Sequence, residues 1–119
     1  MQQNAIHKTD EEYFRSCVAK ERRLALLLGH KVEEFYESAG TLWDGDTPLP
    51  KWARDWNACG LLLAQYELPI SYMKTEQGQT CAVTVGRSTA QLNDHPSKQQ
   101  ALMFATVTAV IAALEHRQH

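Results

Sequence analysis

The chain has 119 residues, a formal net charge of -2, and a composition that is 44% hydrophobic and 22% charged. This length is typical of one domain that builds its own core without disulfides or metals, and the near-neutral charge argues against a broad nucleic-acid-binding face. We expect a loose polar N-terminus at residues 1–8 and a single domain over residues 9–119.

The cysteines and the N-terminus point to one compartment. Cys17, Cys59 and Cys81 are odd in number, far apart and without CxxC spacing, which is typical of free thiols in a reducing cytoplasm. Residues 1–14 lack the apolar core of a signal peptide, and the longest apolar run is too short to cross a bilayer. We therefore expect a cytoplasmic protein with no membrane span.

The first predicted helix runs from Asp10 to Leu28. Thr9 and Glu12 have the spacing of a capping box, in which each side chain accepts the other residue's amide. Gly29 is a natural helix stop. Between these signals, apolar residues recur at helical spacing, namely Phe14, Cys17, Val18, Leu24, Ala25, Leu27 and Leu28.

Residues 30–50 carry turn signals instead of a periodic pattern. They offer a short strand or one helical turn around Val32, Phe35 and Tyr36, and the prolines Pro48 and Pro50 predict no regular strand pairing nearby. A second helix follows over about Ala53–Tyr66, with apolar residues on one side, namely Trp52, Trp56, Cys59, Leu62, Leu63 and Tyr66.

The next segment predicts a β-hairpin. Leu68–Met73 and Thr80–Val85 alternate in polarity, and Glu76–Gly78 supplies a glycine-containing loop between them. Arg87–Leu92 is a candidate third strand beyond a bulge at Gly86. The fold class is therefore α+β, with a small antiparallel sheet packed against helices as an α/β sandwich.

The last predicted helix begins at Pro96, which suits a first helical position. From Ala101 to Leu114 it is apolar except for Thr106 and Thr108, and a helix apolar on all sides is normally buried. We expect it to be the central core helix. Since so short a chain has little protein to cover every face, we also expect a homodimer or larger assembly.

Three segments resemble a known family, the phage ABA sandwich domain. Leu24–His30 is similar to its "LxxLVAexxGw" opening, Pro50–Ala58 resembles its "PxYSxDxxAA" segment, and Ala101–Leu114 corresponds to its closing alanine-rich helix. The likeness covers about residues 21–115 and extends to lambdoid accessory proteins. It implies a two-layer or three-layer α/β sandwich with an antiparallel sheet and a bacteriophage origin. It points to no particular activity, because the family is largely uncharacterised. Ala53 replaces the family's helix-capping serine, so Asp55 is expected to serve the helix amides instead.

No catalytic motif or cofactor signature appears in the sequence. The histidines (His7, His30, His95, His116 and His119) lack metal-ligand spacing, and no phosphate loop or nucleophile elbow is present. Asp44 and Asp46 could hold a magnesium ion, but without a third ligand a plain turn is the favoured interpretation. We expect neither an enzyme, nor a cofactor, nor a metal site.

One short stretch combines groups that suit a nucleotide-like ligand. Trp52, Arg54 and Trp56 place two indoles and a guanidinium near a helix N-terminus, and Arg87 is a candidate fourth member. Indole faces stack on bases, and guanidinium groups and helix amides bind phosphates. In the alternative interpretation, which such aromatic spacing favours, Trp52 and Trp56 are core anchors one helical turn apart and Lys51 and Arg54 are solvated. If the site exists, one tryptophan should still face the core.

The functional hypothesis is a phage accessory protein that acts by binding in the host bacterial cytoplasm. Its most concrete form is an anti-defence sponge that sequesters a nucleotide-derived immune signal. The alternative is a protein–protein module that inhibits or redirects a host enzyme. Neither extended nucleic acid nor a membrane is an expected partner.

Overall fold

The structure is a computed structural model and describes residues 9–117. It contains three helices and two small antiparallel sheets of three strands each, which confirms the predicted α+β fold. The N-terminal segment predicted to be loose, residues 1–8, lies outside the described residues. Within residues 9–117 no helix is long and apolar enough to cross a membrane.

The first helix forms where its caps predict it. The helices are α1 (Asp10–Leu27), α2 (Trp56–Tyr66) and α3 (Lys98–Arg117). At the start of α1, the Thr9 hydroxyl accepts from the Glu12 amide at 3.1 Å, and the Glu12 carboxylate accepts from the Thr9 amide at 2.9 Å. The capping box therefore satisfies two amides that have no partner inside the helix.

Helix α2 begins three residues later than predicted, at Trp56 rather than Ala53. The Asp55 side chain accepts a hydrogen bond from the Asn57 amide at 3.1 Å and caps the helix, as the missing serine led us to expect. Before it, the amides of Arg54 and Asp55 both donate to the Lys51 carbonyl, which closes a turn. Residues 51–54 therefore precede the helix.

Helix α3 begins two residues later than predicted. Ser97 Oγ accepts from the Gln100 amide at 3.1 Å and so acts as the cap. Lys98 is then the first helical residue, and Pro96 lies just outside the helix. The proline marked the region of the helix start, but the serine fixes its position.

The larger sheet consists of β4 (Ile70–Lys74), β5 (Thr80–Val85) and β6 (Ser88–Gln91), in that order. The predicted hairpin is confirmed. The third strand pairs alongside β5 across a two-residue turn at Gly86–Arg87 and does not continue past a bulge. Gly86 has φ +58°, which a tight hairpin turn requires. Helix α3 packs on β5 and β6. Strand β4 lies at an edge of the sheet, and its side chains are exposed on both faces.

The smaller sheet occupies the segment that carried turn signals. Its strands are β1 (Glu33–Glu34), β2 (Leu42–Asp44) and β3 (Thr47–Pro48), with a short 3-10 turn at Tyr36–Ser38. The expectation that the prolines prevent pairing was wrong for Pro48, which pairs with Trp43. It lies on an edge strand, where a missing amide N–H is tolerated.

The acidic pair, Asp44 and Asp46, lies at the hairpin between β2 and β3, where Asp44 is the last residue of β2 and Asp46 lies in the turn. Asp44 pairs with Thr47 across the turn, and its carboxylate lies 2.9 Å from His30 Nδ1. Among residues 9–117, no three histidine, cysteine or acidic side chains cluster as a metal site would need.

Helix α3 lies at the centre of the core, as predicted, but it is not covered on every side. It packs against α1, α2, β5 and β6 and buries nine residues, among them Val107 and Val110. One stripe at i, i+4 spacing stays partly or fully exposed, and it consists of Phe104, Thr108, Ala112 and His116. Since α3 finds most of its cover within the chain, its burial does not require a second subunit, and the oligomer stays a prediction.

A buried ion pair joins α1 to the turn that precedes α2. The Glu21 side chain is 1% exposed and accepts from Arg54 Nε and from the Ala53 amide, each at 3.0 Å. The Arg54 guanidinium also donates to the Gly40 carbonyl at 2.7 Å and lies over the Phe14 ring. Each partner therefore satisfies the other inside the protein, where either charge alone would be costly.

A second ionic cluster, centred on Glu34, holds the loop that contains Gly40. Glu34 accepts from Arg15 and Arg22 at 2.9 and 3.1 Å, and also from the Gly40 amide at 2.6 Å. Gly40 has φ +90°, and a Cβ there would collide with the Phe14 ring. Only glycine fits this position. The Gly40 amide binds Glu34, which binds Arg15 and Arg22 of α1, and the Gly40 carbonyl binds Arg54, which binds Glu21 of α1. Both peptide groups of Gly40 therefore connect the loop at residues 34–40 to α1.

Breaking the buried pair should be severe. Arg54→Met should lower the free energy of unfolding by about 3–5 kcal/mol, because it leaves the Glu21 carboxylate buried and unpaired. The double variant Glu21→Leu/Arg54→Met should recover part of that loss. Urea denaturation of the parent, both single variants and the double variant measures the coupling, and a loss below about 1 kcal/mol in Arg54→Met would contradict the burial of the pair.

The Glu34 cluster should make stability depend on acid pH. Hydrogen bonding to Arg15 and then to the Gly40 amide lowers the pKa of Glu34 below its usual value of 4.5. Its contribution is therefore present above pH 4.5 and is lost as the pH falls through the lowered pKa of the folded state. Thermal denaturation between pH 7 and acid pH should show a smaller fall in Tm for Glu34→Gln than for the parent. Equal falls would contradict this assignment.

Candidate functional site

The structure separates the two tryptophans predicted to lie beside a ligand. Trp52 is 6% exposed and belongs to the hydrophobic core, whereas Trp56, at the first position of α2, is 42% exposed. The prediction that one of the two faces the core is confirmed. They diverge because Trp52 precedes the helix, so helical spacing does not relate them.

The two predicted arginines also lie apart. Arg54 is bound by the buried Glu21 carboxylate and the Gly40 carbonyl, so its donors are largely committed. Arg87 lies at the β5–β6 turn, is exposed and lines a cleft at the end of α3. Arg54 lines a different cleft. The four-residue site stays a prediction, and its two arginines line different clefts.

Three neighbouring clefts follow the exposed stripe of α3. Their volumes are ≈320, ≈530 and ≈470 Å³. The first two share Lys20, Phe104 and Thr108, and the third shares Ser88 with the first and Ala112 with the second. Helix α1 forms one wall and β6 the other. The stripe spans about 18 Å at 1.5 Å per helical residue, and we call the three clefts together the α3 groove.

One end of the α3 groove is aromatic. A hydrogen bond of 2.7 Å joins Tyr13 Oη to His95 Nδ1, and the His95 ring lies 5.0 Å from the Phe104 ring. Lys20 Nζ lies 5.5 Å from the centre of the Phe104 ring, and Asp94 also lines this end. The aromatic end thus offers π-faces, a cation and hydrogen-bonding groups within one cleft.

Tyr13 contributes to the aromatic end as a neutral hydroxyl. Burial raises the pKa of its phenol well above the usual 10.0, and the neighbouring Cys17 raises it further. The hydroxyl therefore keeps its proton across the physiological range, and its hydrogen bond to His95 holds the imidazole in place. Cys17 itself is buried, and Cys17, Cys59 and Cys81 form no disulfide, as predicted.

The other end of the α3 groove is cationic. Arg87, His116 and Arg117 surround a floor of small apolar residues that includes Ala109 and Ala112. Neither Arg87 nor Arg117 forms an ion pair with any residue in the range 9–117. Between the two ends, Arg23 pairs with Glu115 at 2.8 Å, so those charges offset each other.

The groove provides the parts of a binding site for an elongated anion with an aromatic portion. Aromatic rings stack on a base, and arginine donates to phosphate. Sequence reasoning missed Tyr13, Lys20, His95 and Phe104, because they come from α1, the segment before α3, and α3 itself. The sequence did contain a signal for this surface. Phe104, Thr108, Ala112 and His116 recur every four residues, and the two polar residues among them indicate an exposed stripe on a helix that was predicted to be wholly buried.

Comparison of the chain with protein-family models, curated proteins and solved structures finds no match. The resemblance to the phage ABA sandwich domain therefore stays a prediction.

The raised pKa of Tyr13 can be measured directly. At about pH 11, the folded parent and Tyr13→Phe should show equal phenolate absorbance, whereas in denaturant the parent should show one phenolate more. Because the folded state keeps a proton that the unfolded chain loses, stability is fully present below about pH 10 and declines above it. That decline should be smaller in Tyr13→Phe. An extra phenolate in the folded parent at this pH would contradict the burial of the hydroxyl.

Proposed function

We propose that this chain is a small phage accessory protein that acts by binding, and that it sequesters a nucleotide-derived immune signal in the α3 groove. The observation that carries the proposal is the combination, in neighbouring clefts along α3, of an aromatic end and two arginines without an ion-pair partner in residues 9–117. The phage origin and the setting in the host cytoplasm rest on the family resemblance and belong to the same proposal.

The division of the groove suggests how such a ligand would lie. A base would stack on Phe104 beside the hydrogen-bonded Tyr13–His95 pair, close to Lys20. Phosphate oxygens would lie toward Arg87 and Arg117, where no acidic side chain lines the cleft. Arg87 belongs both to the sequence-predicted set and to the groove, so it is the residue on which both versions of the site depend.

Calorimetric titration of the purified protein tests the proposal, with a panel of cyclic dinucleotides and cyclic ADP-ribose isomers. At least one member should bind. Arg87→Gln should weaken its binding by about tenfold, because a hydrogen bond to a charged group is worth about 1.5–3 kcal/mol. Phe104→Leu should weaken it by a similar factor through lost stacking. Lys31→Gln, which removes an exposed cation outside the groove, is the matched control.

Trp56→Ala separates the two versions of the site. If binding depends on Phe104 and not on Trp56, the ligand lies in the α3 groove. If it depends on Trp56 and not on Phe104, the ligand lies at the start of α2, as the sequence predicted. Silence across the whole panel, or binding that survives all of these changes, would overturn the sponge proposal.

The second candidate function is a protein–protein module that inhibits or redirects a host enzyme. One observation favours it: Tyr36, on the 3-10 turn between β1 and β2, is 94% exposed, and the preceding Phe35 is also exposed.

A further inference from the structure

The smaller sheet presents an exposed apolar surface on its outer face. Glu33 pairs with Trp43 and Trp43 pairs with Pro48, so these three side chains share one face. The opposite face carries Leu42, which is buried. Phe35 extends the outer face, since its ring lies 6.4 Å from the Trp43 ring.

The most exposed member of this surface is Tyr36, on the 3-10 turn that follows Phe35. Its side chain is 94% exposed and that of Phe35 is 45% exposed. Single exposed apolar residues are common on protein surfaces, but several together mark interaction sites. We call Phe35, Tyr36, Trp43 and Pro48 the aromatic patch.

The aromatic patch is held on a fixed backbone. Trp43 Nε1 donates to Ser38 Oγ at 3.1 Å across the base of the turn. The Gly40 amide donates to Glu34, and the Gly40 carbonyl accepts from Arg54. Two ionic clusters on α1 therefore fasten the segment that carries the patch. A surface ordered before binding loses less entropy when a partner docks.

The segment that carries the patch is acidic. Residues 33–46 contain five acidic residues and no lysine or arginine. Glu34 and Asp44 are engaged by Arg15, Arg22 and His30. The remaining three, Glu33, Glu37 and Asp46, are exposed and form no ion pair within residues 9–117.

We infer that the aromatic patch is a docking surface for a protein partner with basic groups around an apolar recess. Tyrosine and tryptophan are enriched where binding energy concentrates, and the rim of such an interface is polar. An acidic rim repels nucleic acid and anionic lipid. It also disfavours a second copy of this chain, because a two-fold contact would place the same acids against each other.

This inference deepens the second candidate function and is independent of ligand binding in the α3 groove. The patch comes from residues 33–48, whereas the groove is lined by α1, β6 and α3 with adjoining residues. Variants of one surface should leave the other unaffected. Failure of the sponge proposal and failure of this inference can therefore be told apart.

The test uses a yeast-displayed library of random peptides, selected on the purified full chain alone and then measured on each variant. Enriched peptides should carry lysine or arginine around aromatic or aliphatic residues. Their affinity should fall at least about tenfold with Tyr36→Ala and several-fold with Glu37→Lys. It should also weaken as salt rises from about 50 to about 300 mM.

Matched controls keep the outcome interpretable. Tyr72→Ala removes an exposed tyrosine from the edge strand β4, Glu76→Lys reverses an exposed charge in the hairpin loop, and Arg87→Gln alters the groove. None should change peptide affinity, and circular dichroism should show every variant folded. Acidic or neutral peptides, or peptides that bind Tyr36→Ala as tightly as the parent, would overturn the inference. Self-association that Tyr36→Ala abolishes would overturn the assignment to a basic partner.

Discussion

The buried Glu21–Arg54 pair is the interaction on which the arrangement of this molecule depends. A carboxylate that is 1% exposed is tolerated only because a guanidinium and a backbone amide satisfy it. Through that pair, α1 fixes the turn that precedes α2 and the loop at Gly40. Arg54 is therefore committed to the fold. The same commitment explains why a cation beside two tryptophans, which suggests a ligand site in the sequence, contributes here to architecture.

The two ionic clusters on α1 divide the surface of the protein into regions with different properties. Glu34 and Arg54 together hold both peptide groups of Gly40, so the smaller sheet is fastened to the polar side of α1. The α3 groove lies between α1 and β6. It contains Arg87 and Arg117, which form no ion pair within residues 9–117. One region is thus acidic and aromatic, and the other is a mainly cationic groove. That separation lets the sponge and protein-docking hypotheses be tested independently on the same molecule.

Helix α3 illustrates why composition alone overstates burial. Its apolar residues predict a fully covered core helix, and most of them are covered by α1, α2 and the larger sheet. A cylinder packed by two helices and a sheet nevertheless retains a gap where its neighbours do not meet. Phe104 and Ala112 lie in that gap, with Thr108 between them and His116 at its end. The apolar stripe that looked like more core is instead the floor of the groove.

The sequence by itself determined the features whose physics is local. The capping box at Thr9 located α1 to within one residue, and alternating polarity located the strands on either side of Glu76–Gly78. Only the tertiary structure decided which groups meet across long sequence separations. Glu21 with Arg54, and Tyr13 with His95, are joined by packing that no periodicity encodes. Spacing along a chain fixes the face of a helix or strand, whereas the partner of that face depends on how the elements pack together.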